Sequence, residues 1–257
     1  MNYGMYIAAS GVSTQMARTD VMANNLANIS TVGFRPDYLA VRARDVARVE
    51  KNIPFAQSDA LLERLGAGVM PMPTRVSQSQ GPIQQTDRPL DFAIEGQGFF
   101  VVSAGDGPDG MRLTRDGRFN LNAQGELVTG AGHRVLDDGG GTILLDSAQR
   151  FEVRGDGEIV QGGAVVGRLA LRTVADPAGL AKRGEGLLGA QFGQTLQFLP
   201  ASAQVHQNAV EGSSVDAIKT MMGVTGAARS ASSGLRIISM INQNLGLAVG
   251  RLGRITG

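Results

Sequence analysis

An α+β fold is the class the sequence predicts: N- and C-terminal helices paired as a coiled coil, with a central antiparallel β-rich domain between them. Three observations carry that prediction. Apolar residues recur three or four positions apart near both ends of the chain, the spacing of one helix face. Between those ends, short alternating runs are cut by glycine-bearing turns. Hydrophobic residues make up 42% of the 257 positions against 18% charged, enough to supply a core. The pattern divides the chain at 1–35, 36–80, 81–205 and 206–257.

The first zone carries Met5, Ala8, Val12, Met16, Thr19, Ala23 and Leu26 on one helical stripe. Ala8, Ala9, Ala17, Ala23 and Ala27 add helix propensity. The helix is predicted to stop near Ser30. Beyond it Gly33, Phe34 and Pro36 form the turn by which the chain leaves, since glycine accepts a positive φ and proline pushes its predecessor out of the helical region. The segment "MANNLANISTVGFRP" (22–36) places Asn24, Asn25 and Asn28 beside Leu26 and Ile29. Asparagine is a mediocre helix former, because its amide competes for backbone hydrogen bonds. Two readings follow: these amides are solvated or cap the helix end, or some are buried at a helix–helix contact where they fix register.

Residues 36–80 read as an extended excursion. A charged patch, "RARDVARVEK" (42–51), precedes Pro54, Pro71 and Pro73, with a short helical turn expected at 58–65. From 81 onward "PLDFAIEGQGFFVV" alternates and then runs continuously apolar. Breaks at Asp116-Gly117, Gln124-Gly125 and Asp156-Gly157 predict hairpins, and Asp-Gly in particular favours type I′ turns. These strands suit a sandwich or open barrel. In the last zone Ser213 and Asp216 have capping-box spacing, followed by Val215, Ile218 and Met222 on a helical stripe. After "GAARSASSG" the stripe resumes as Leu235, Ile238, Asn242, Leu245, Val249 and Leu252. Neither terminal helix is apolar enough to stand alone, so each is expected to pack on the other, with neighbouring copies completing the contact.

Composition narrows the function. The 24 basic and 23 acidic residues balance to +1 and are mixed along the chain, which argues against nucleic acid or an anionic membrane as the main partner. Absence of cysteine removes disulfides, thiolate zinc sites and cysteine nucleophiles. The first 17 residues are uncharged, but no Lys or Arg precedes them and polar residues interrupt them, so no cleavable secretory signal is expected. The uncharged run 237–250 is too short to span a bilayer, and membrane insertion is not expected.

The candidate chemical sites fail one after another. "EGQGFF" (95–100) holds Gly-x-Gly but runs into a β-like stretch rather than a helix N-terminus, so a hairpin turn is the better reading. "DGPDG" (106–110) would put proline and glycine at calcium-ligand positions and reads as a surface turn. His133 and His206 are the only histidines, 73 positions apart, and no His-x-Glu or Glu-x-x-His spacing accompanies them. No serine occupies a Gly-x-Ser-x-Gly elbow, and Asp137-Asp138 heads a glycine-rich turn. No catalytic constellation, cofactor, metal or small-molecule substrate is predicted.

"IAASGV" (7–12) followed by "VMANNLANISTVGFR" (21–35) resembles the N-terminal signature of the flagellar rod and hook axial proteins. "PLDFAIEGQGFFVV" (89–102), "LTRDGRFNLNAQGELVTGAGHRVL" (113–136), "VADPAGL" (174–180) and "QNAVEGSSVDAIKTMM" (207–222) resemble further motifs in the family's order. Length and a single β middle resemble the rod proteins more than the hook protein. The opening "MNYGMYIAASGV" and the "FRPD" after the signature resemble the proximal-rod member, with a distal-rod member as the alternative. The final helix departs from the family: an Arg-x-Tyr-Glu-like segment is replaced by "GAARSASSGLRIISMINQN", in which only Arg229 corresponds.

The resemblance implies a structural subunit of the bacterial flagellar basal body, exported unfolded by the flagellar type III apparatus. It would polymerise in the periplasm, with copies of itself and neighbouring rod proteins, into the shaft that transmits torque. The helices would form an inner coiled coil and the β domain would lie outside. A β-rich, adhesin-like binding module stapled by its helices is the reading from a different class.

Overall fold

The computed structural model describes residues 3–45, 66–105, 110–192 and 195–252. The helical turn expected at 58–65, and all but Gly110 of the "DGPDG" turn, lie outside the described residues. The chain divides into two compact units: one from Met1–Leu26, Tyr38–Thr74 and Ala217–Gly257, the other from Ala27–Asp37 and Arg75–Asp216.

The first unit contains α1 (Tyr3–Ala27), most of the paired strands β1 (Asp37–Ala43) and β2 (Val69–Val76), and α2 (Ala217–Leu252). At 1.5 Å per residue the helices run about 38 and 54 Å. They pack antiparallel, because close approaches pair early residues of α1 with late ones of α2. A Cβ at Gly4 would lie 3.8 Å from Ile241 Cδ1, one at Gly234 2.5 Å from Val12 Cγ2, and one at Gly223 2.7 Å from Met22 Sδ. Another side of α1 meets the strands. Ser10 Oγ donates to the Ile7 carbonyl at 2.8 Å and accepts from the Val69 amide at 3.3 Å, and the Arg44 guanidinium donates to the Tyr6 hydroxyl and lies 5.6 Å from its ring. Thr14 and Thr19 bond back to the carbonyls of Ser10 and Gln15, so their hydroxyls are satisfied within the helix.

Both helix ends differ from the sequence expectation. α1 stops at Ala27, three residues before Ser30, and turns through Asn28–Thr31. The Thr31 amide bonds to the Asn28 carbonyl at 3.2 Å and the Thr31 hydroxyl to Asn28 Oδ1 at 3.1 Å. α2 starts at Ala217, because the Ser213 hydroxyl accepts from the Val215 amide and closes a turn ahead of the helix. Val215 is therefore not on the helical stripe.

The second unit is antiparallel β structure. Its strands after β2 are β3 (Ile83–Gln85), β4 (Phe92–Glu95), β5 (Phe99–Ser103), β6 (Met111–Thr114), β7 (Phe119–Leu121), β8 (Leu127–Thr129), β9 (Arg134–Val135), β10 (Phe151–Val153), β11 (Glu158–Gln161), β12 (Ala164–Arg168), β13 (Leu171–Val174), β14 (Leu180–Gly184), β15 (Leu187–Ala190), β16 (Phe198–Pro200), β17 (Gln204–Gln207) and β18 (Ala209–Glu211). The main sheet runs β14-β15-β6-β5-β9-β8-β7, with β13 joining β5 to β16. Smaller groups are β10-β11-β12, β17-β4 and β18-β3. The core is aromatic at its centre: the Phe100 and Phe119 rings meet edge-on at 5.2 Å and Phe92 lies 5.8 Å from Phe119. Ile94, Leu127, Ile143, Ile159 and Leu169 pack around them.

The turns correct several expectations. Type I′ geometry needs positive φ at both central residues, and it occurs at Gly162-Gly163 (φ +60° and +84°) and Glu185-Gly186 (φ +52° and +74°). At the predicted Asp156-Gly157 hairpin only the glycine is positive. Asp116-Gly117 is not a hairpin at all: β6 pairs with β5 and β15, and β7 with β8. Gly117 is required instead by close approach, since a Cβ there would fall 1.7 Å from the Phe92 carbonyl oxygen. "EGQGFF" likewise links β4 to β5 without pairing them; β4 pairs with β17.

Candidate assembly site

α2 has two dissimilar faces. Ala217, Thr220, Gly223, Val224, Ala227, Ala231, Gly234, Ile238 and Ile241 are its covered positions, most of them spaced three and four apart, and Gly223, Gly234 and Ile241 border α1. These residues are mostly small, which lets two helix backbones come close. The larger apolar residues lie elsewhere. Ile218 is 73% exposed and Met222 68%, and Met221, Leu235, Ile237, Met240, Leu245, Leu247 and Val249 are exposed with them. Of the C-terminal residues predicted for a helix contact, Ile238 is the one whose described side chain is covered. Ile218, Met222, Leu235, Asn242 and Leu245 are exposed, and the side chain of Leu252 lies outside the described residues.

On α1, Val12 is buried, Met5, Ala8 and Leu26 are half-buried, and Met16 is exposed. A straight α-helix drifts about 20° per seven residues against a seven-residue repeat, so a stripe drawn from Met5 to Leu26 winds off the contact. The three asparagines separate. Asn25 is buried, Asn24 is exposed, and Asn28 is half-buried in the turn after the helix, where Ile29 is exposed.

The exit turn is built into the sheet unit. Gly33 has φ +67°, and a Cβ there would lie 2.4 Å from the Arg115 backbone, so conformation and space both require glycine. The Phe34 ring sits under the Lys182 ammonium at 3.7 Å, which also reaches Asp37 Oδ2 at 3.0 Å. Burial lowers the Lys182 pKa, and Asp37 opposes that shift. The Pro36 carbonyl accepts from Ser77 at 2.8 Å.

Between these contacts lies a cluster that the sequence analysis missed. Arg35, Arg115 and Glu211 are 3%, 2% and 1% exposed. Glu211 Oε2 is 2.6 Å from Arg115 Nη1, and its Oε1 is 3.2 Å from Arg35 Nη2 and accepts from the Gly81 amide at 2.8 Å. Arg115 also donates through Nε to the Gly98 carbonyl, through Nη1 to Ile94 at 3.1 Å and through Nη2 to Gly96 at 2.6 Å. Arg35 Nη1 donates to the Ser79 carbonyl. Both guanidiniums stand over the Phe99 ring, at 5.9 Å for Arg35 and 5.3 Å for Arg115. Desolvation lowers the Arg35 pKa to about 10, helped by Arg115 and opposed by Glu211. Burial also lowers that of Arg115, against Glu211. The only signals in the sequence were the neighbours: Arg35 follows Gly33-Phe34, and Glu211 precedes Gly212.

The same cluster explains "EGQGFF". That loop aims carbonyls of Gly96 and Gly98 at a cation, whereas a phosphate cradle aims amides at an anion. Each histidine is engaged by its own glutamate: His133 by Glu185 at 2.8 Å and His206 by Glu95 at 2.6 Å. Asp137 accepts from the Gly141 amide at 2.6 Å, closing its turn, and Asp138 pairs with Arg172 at 2.7 Å. Among the described residues, no helix is long and apolar enough to cross a membrane.

Known proteins are similar in sequence along nearly the whole chain. The sequence profile of the flagella basal body rod protein matches residues 5–35, and that of the flagellar hook protein FlgE/F/G D1 domain matches 93–161. Flagellar basal-body rod protein FlgF of Caulobacter vibrioides is 34% identical, over 99% of this chain and 100% of that one. Flagellar basal-body rod protein FlgG of Agrobacterium fabrum is 30% identical, over 92% and 94% respectively. FlgG of Bacillus subtilis is 33% identical over 71% of each chain. With paired terminal helices, a β-rich middle and relatives of this identity and coverage, the chain belongs to the flagellar basal-body rod protein family.

Proposed function

We propose that this chain is a structural subunit of the bacterial flagellar basal-body rod, of the proximal-rod kind. It assembles with other copies of itself and with neighbouring rod proteins. The observation that carries this reading is the large apolar face of α2. Burial of a leucine-sized side chain stabilises by about 1.5–3 kcal/mol, and this helix leaves several such side chains in water while its covered face is small. A patch of that kind marks a contact with another protein. In the assembled rod, α1 and α2 complete a coiled coil with helices of neighbouring subunits, and torque passes through many such contacts. Asn24, exposed near the end of α1, rejects wrong registers.

The subunit works in the periplasm and is delivered there unfolded by the flagellar type III apparatus. Cysteine is absent from the chain, so no disulfide has to form on the way. Deleting residues 1–30 tests the reading: a rod subunit loses rod assembly and motility, whereas retained motility contradicts it. A distal-rod position is distinguished by the axial level of the chain in a density map of the intact basal body.

A further inference from the structure

Residues 35, 115 and 211 span most of the sheet unit in sequence and meet at one buried point. Two of them lie on the segments that lead to the helices, and the third is held by the sheet. The attachments are unequal. Arg115 remains bonded to the carbonyls of Ile94, Gly96 and Gly98 without Glu211, whereas Arg35 reaches Ser79 and Glu211. Around Glu211, backbone bonds tie the two linking segments together and to the strands. The Gly33 amide donates to the Glu211 carbonyl at 2.7 Å, Ser214 to Phe34 at 3.2 Å, and Gly212 to Pro82 at 2.8 Å.

We propose that Glu211 is a latch: its one carboxylate bridges two buried guanidiniums and thereby clamps the segments around Arg35 and Glu211 to the sheet, and this latch closes last. Before Glu211 seats, Arg35 and Arg115 face each other across Phe99 as like charges, so the segment carrying Arg35 stays unlatched. The pairings among β5 to β16 use no residue of the 209–214 segment. The latch is therefore a separately opening unit of the native protein. Under the delivery proposed above, the exit from α1 stays free to reorient until the end of the chain arrives. That consequence rests on the proposed function; the latch itself does not.

Amide hydrogen exchange on the purified full-length chain tests it. The amides of Gly33, Gly81 and Ser214 are expected to exchange together and faster than that of Leu127, which bonds to Ile143 within the core. Glu211→Gln keeps the shape and removes the charge. It should accelerate those three amides by about a hundredfold, the size expected for breaking a buried ion pair, while Leu127 changes by less than about threefold. Adding Arg35→Gln to Glu211→Gln removes one unbalanced charge and should slow them again. If Glu211→Gln does not fold, Glu211→Asp carries the same comparison, since its shorter carboxylate cannot reach both arginines. Equal acceleration of Leu127, no acceleration anywhere, or faster exchange in the double variant would overturn the latch. Failure of rod assembly with an intact exchange pattern would instead refute only the proposed function.

Discussion

The two units solve the problem of apolar surface in opposite ways. The sheet unit buries Phe92, Phe100 and Phe119 completely within its own strands and pairs the buried Glu211 with Arg35 and Arg115. The helical unit does the reverse, covering Gly223, Ala227 and Gly234 while leaving Ile218, Met222 and Met240 in solvent. The sheet unit has a closed aromatic core, with Phe192, Leu144 and Val165 exposed at its surface, and the helical unit leaves most of its large apolar side chains in solvent. Substitutions should therefore act on stability in the first and, at the exposed side chains of the second, on assembly.

The largest expected effect on the isolated chain is in the sheet core. Phe100→Ala should cost about 3–5 kcal/mol, read as a lowered urea midpoint. Gly234→Leu on the covered face of α2 should cost about 1–3 kcal/mol, because the added side chain collides with Val12, and helical circular dichroism should fall with it. Gly33→Ala imposes left-handed backbone on a residue with a Cβ and presses it against Arg115, for about 1–3 kcal/mol by the same urea titration. Asn24→Leu should raise helix stability by only a few tenths of a kcal/mol, and combined with Asn28→Leu, outside the helix, it should reduce correctly assembled rods. Normal rods from that pair would leave the asparagines with local roles alone.

How far the sequence foretold this contrast depends on the element. Both helices, the antiparallel middle and the positive φ of Gly33 were legible, because periodicity and glycine chemistry are local. The covered face of α2 was not. Its seam, Val224, Ala227, Ala231, Gly234 and Ile238, has helical spacing, yet small residues carry little hydrophobic signal beside Leu235 and Met222. Of the large side chains on the predicted stripe, Ile218 and Met222 lie on the other side of the helix, whereas Leu245 keeps the spacing of Ile238 and Ile241 but is exposed. The Arg35–Glu211–Arg115 cluster escaped for another reason: ion pairing between distant residues leaves no spacing to read, and only the fold brings them together. Asp116-Gly117 misled because a dipeptide that favours one turn serves here for close approach to Phe92.

The most direct test of the central claim is to place charge on the exposed face of α2. Ile218→Asp, Met222→Asp and Leu235→Asp together alter side chains that a single chain leaves in solvent. The purified triple variant should keep its urea midpoint to within about 1 kcal/mol of stability. Basal bodies isolated from cells carrying it as their sole copy should lack a completed rod. Complete rods and normal motility from the triple variant would contradict the account.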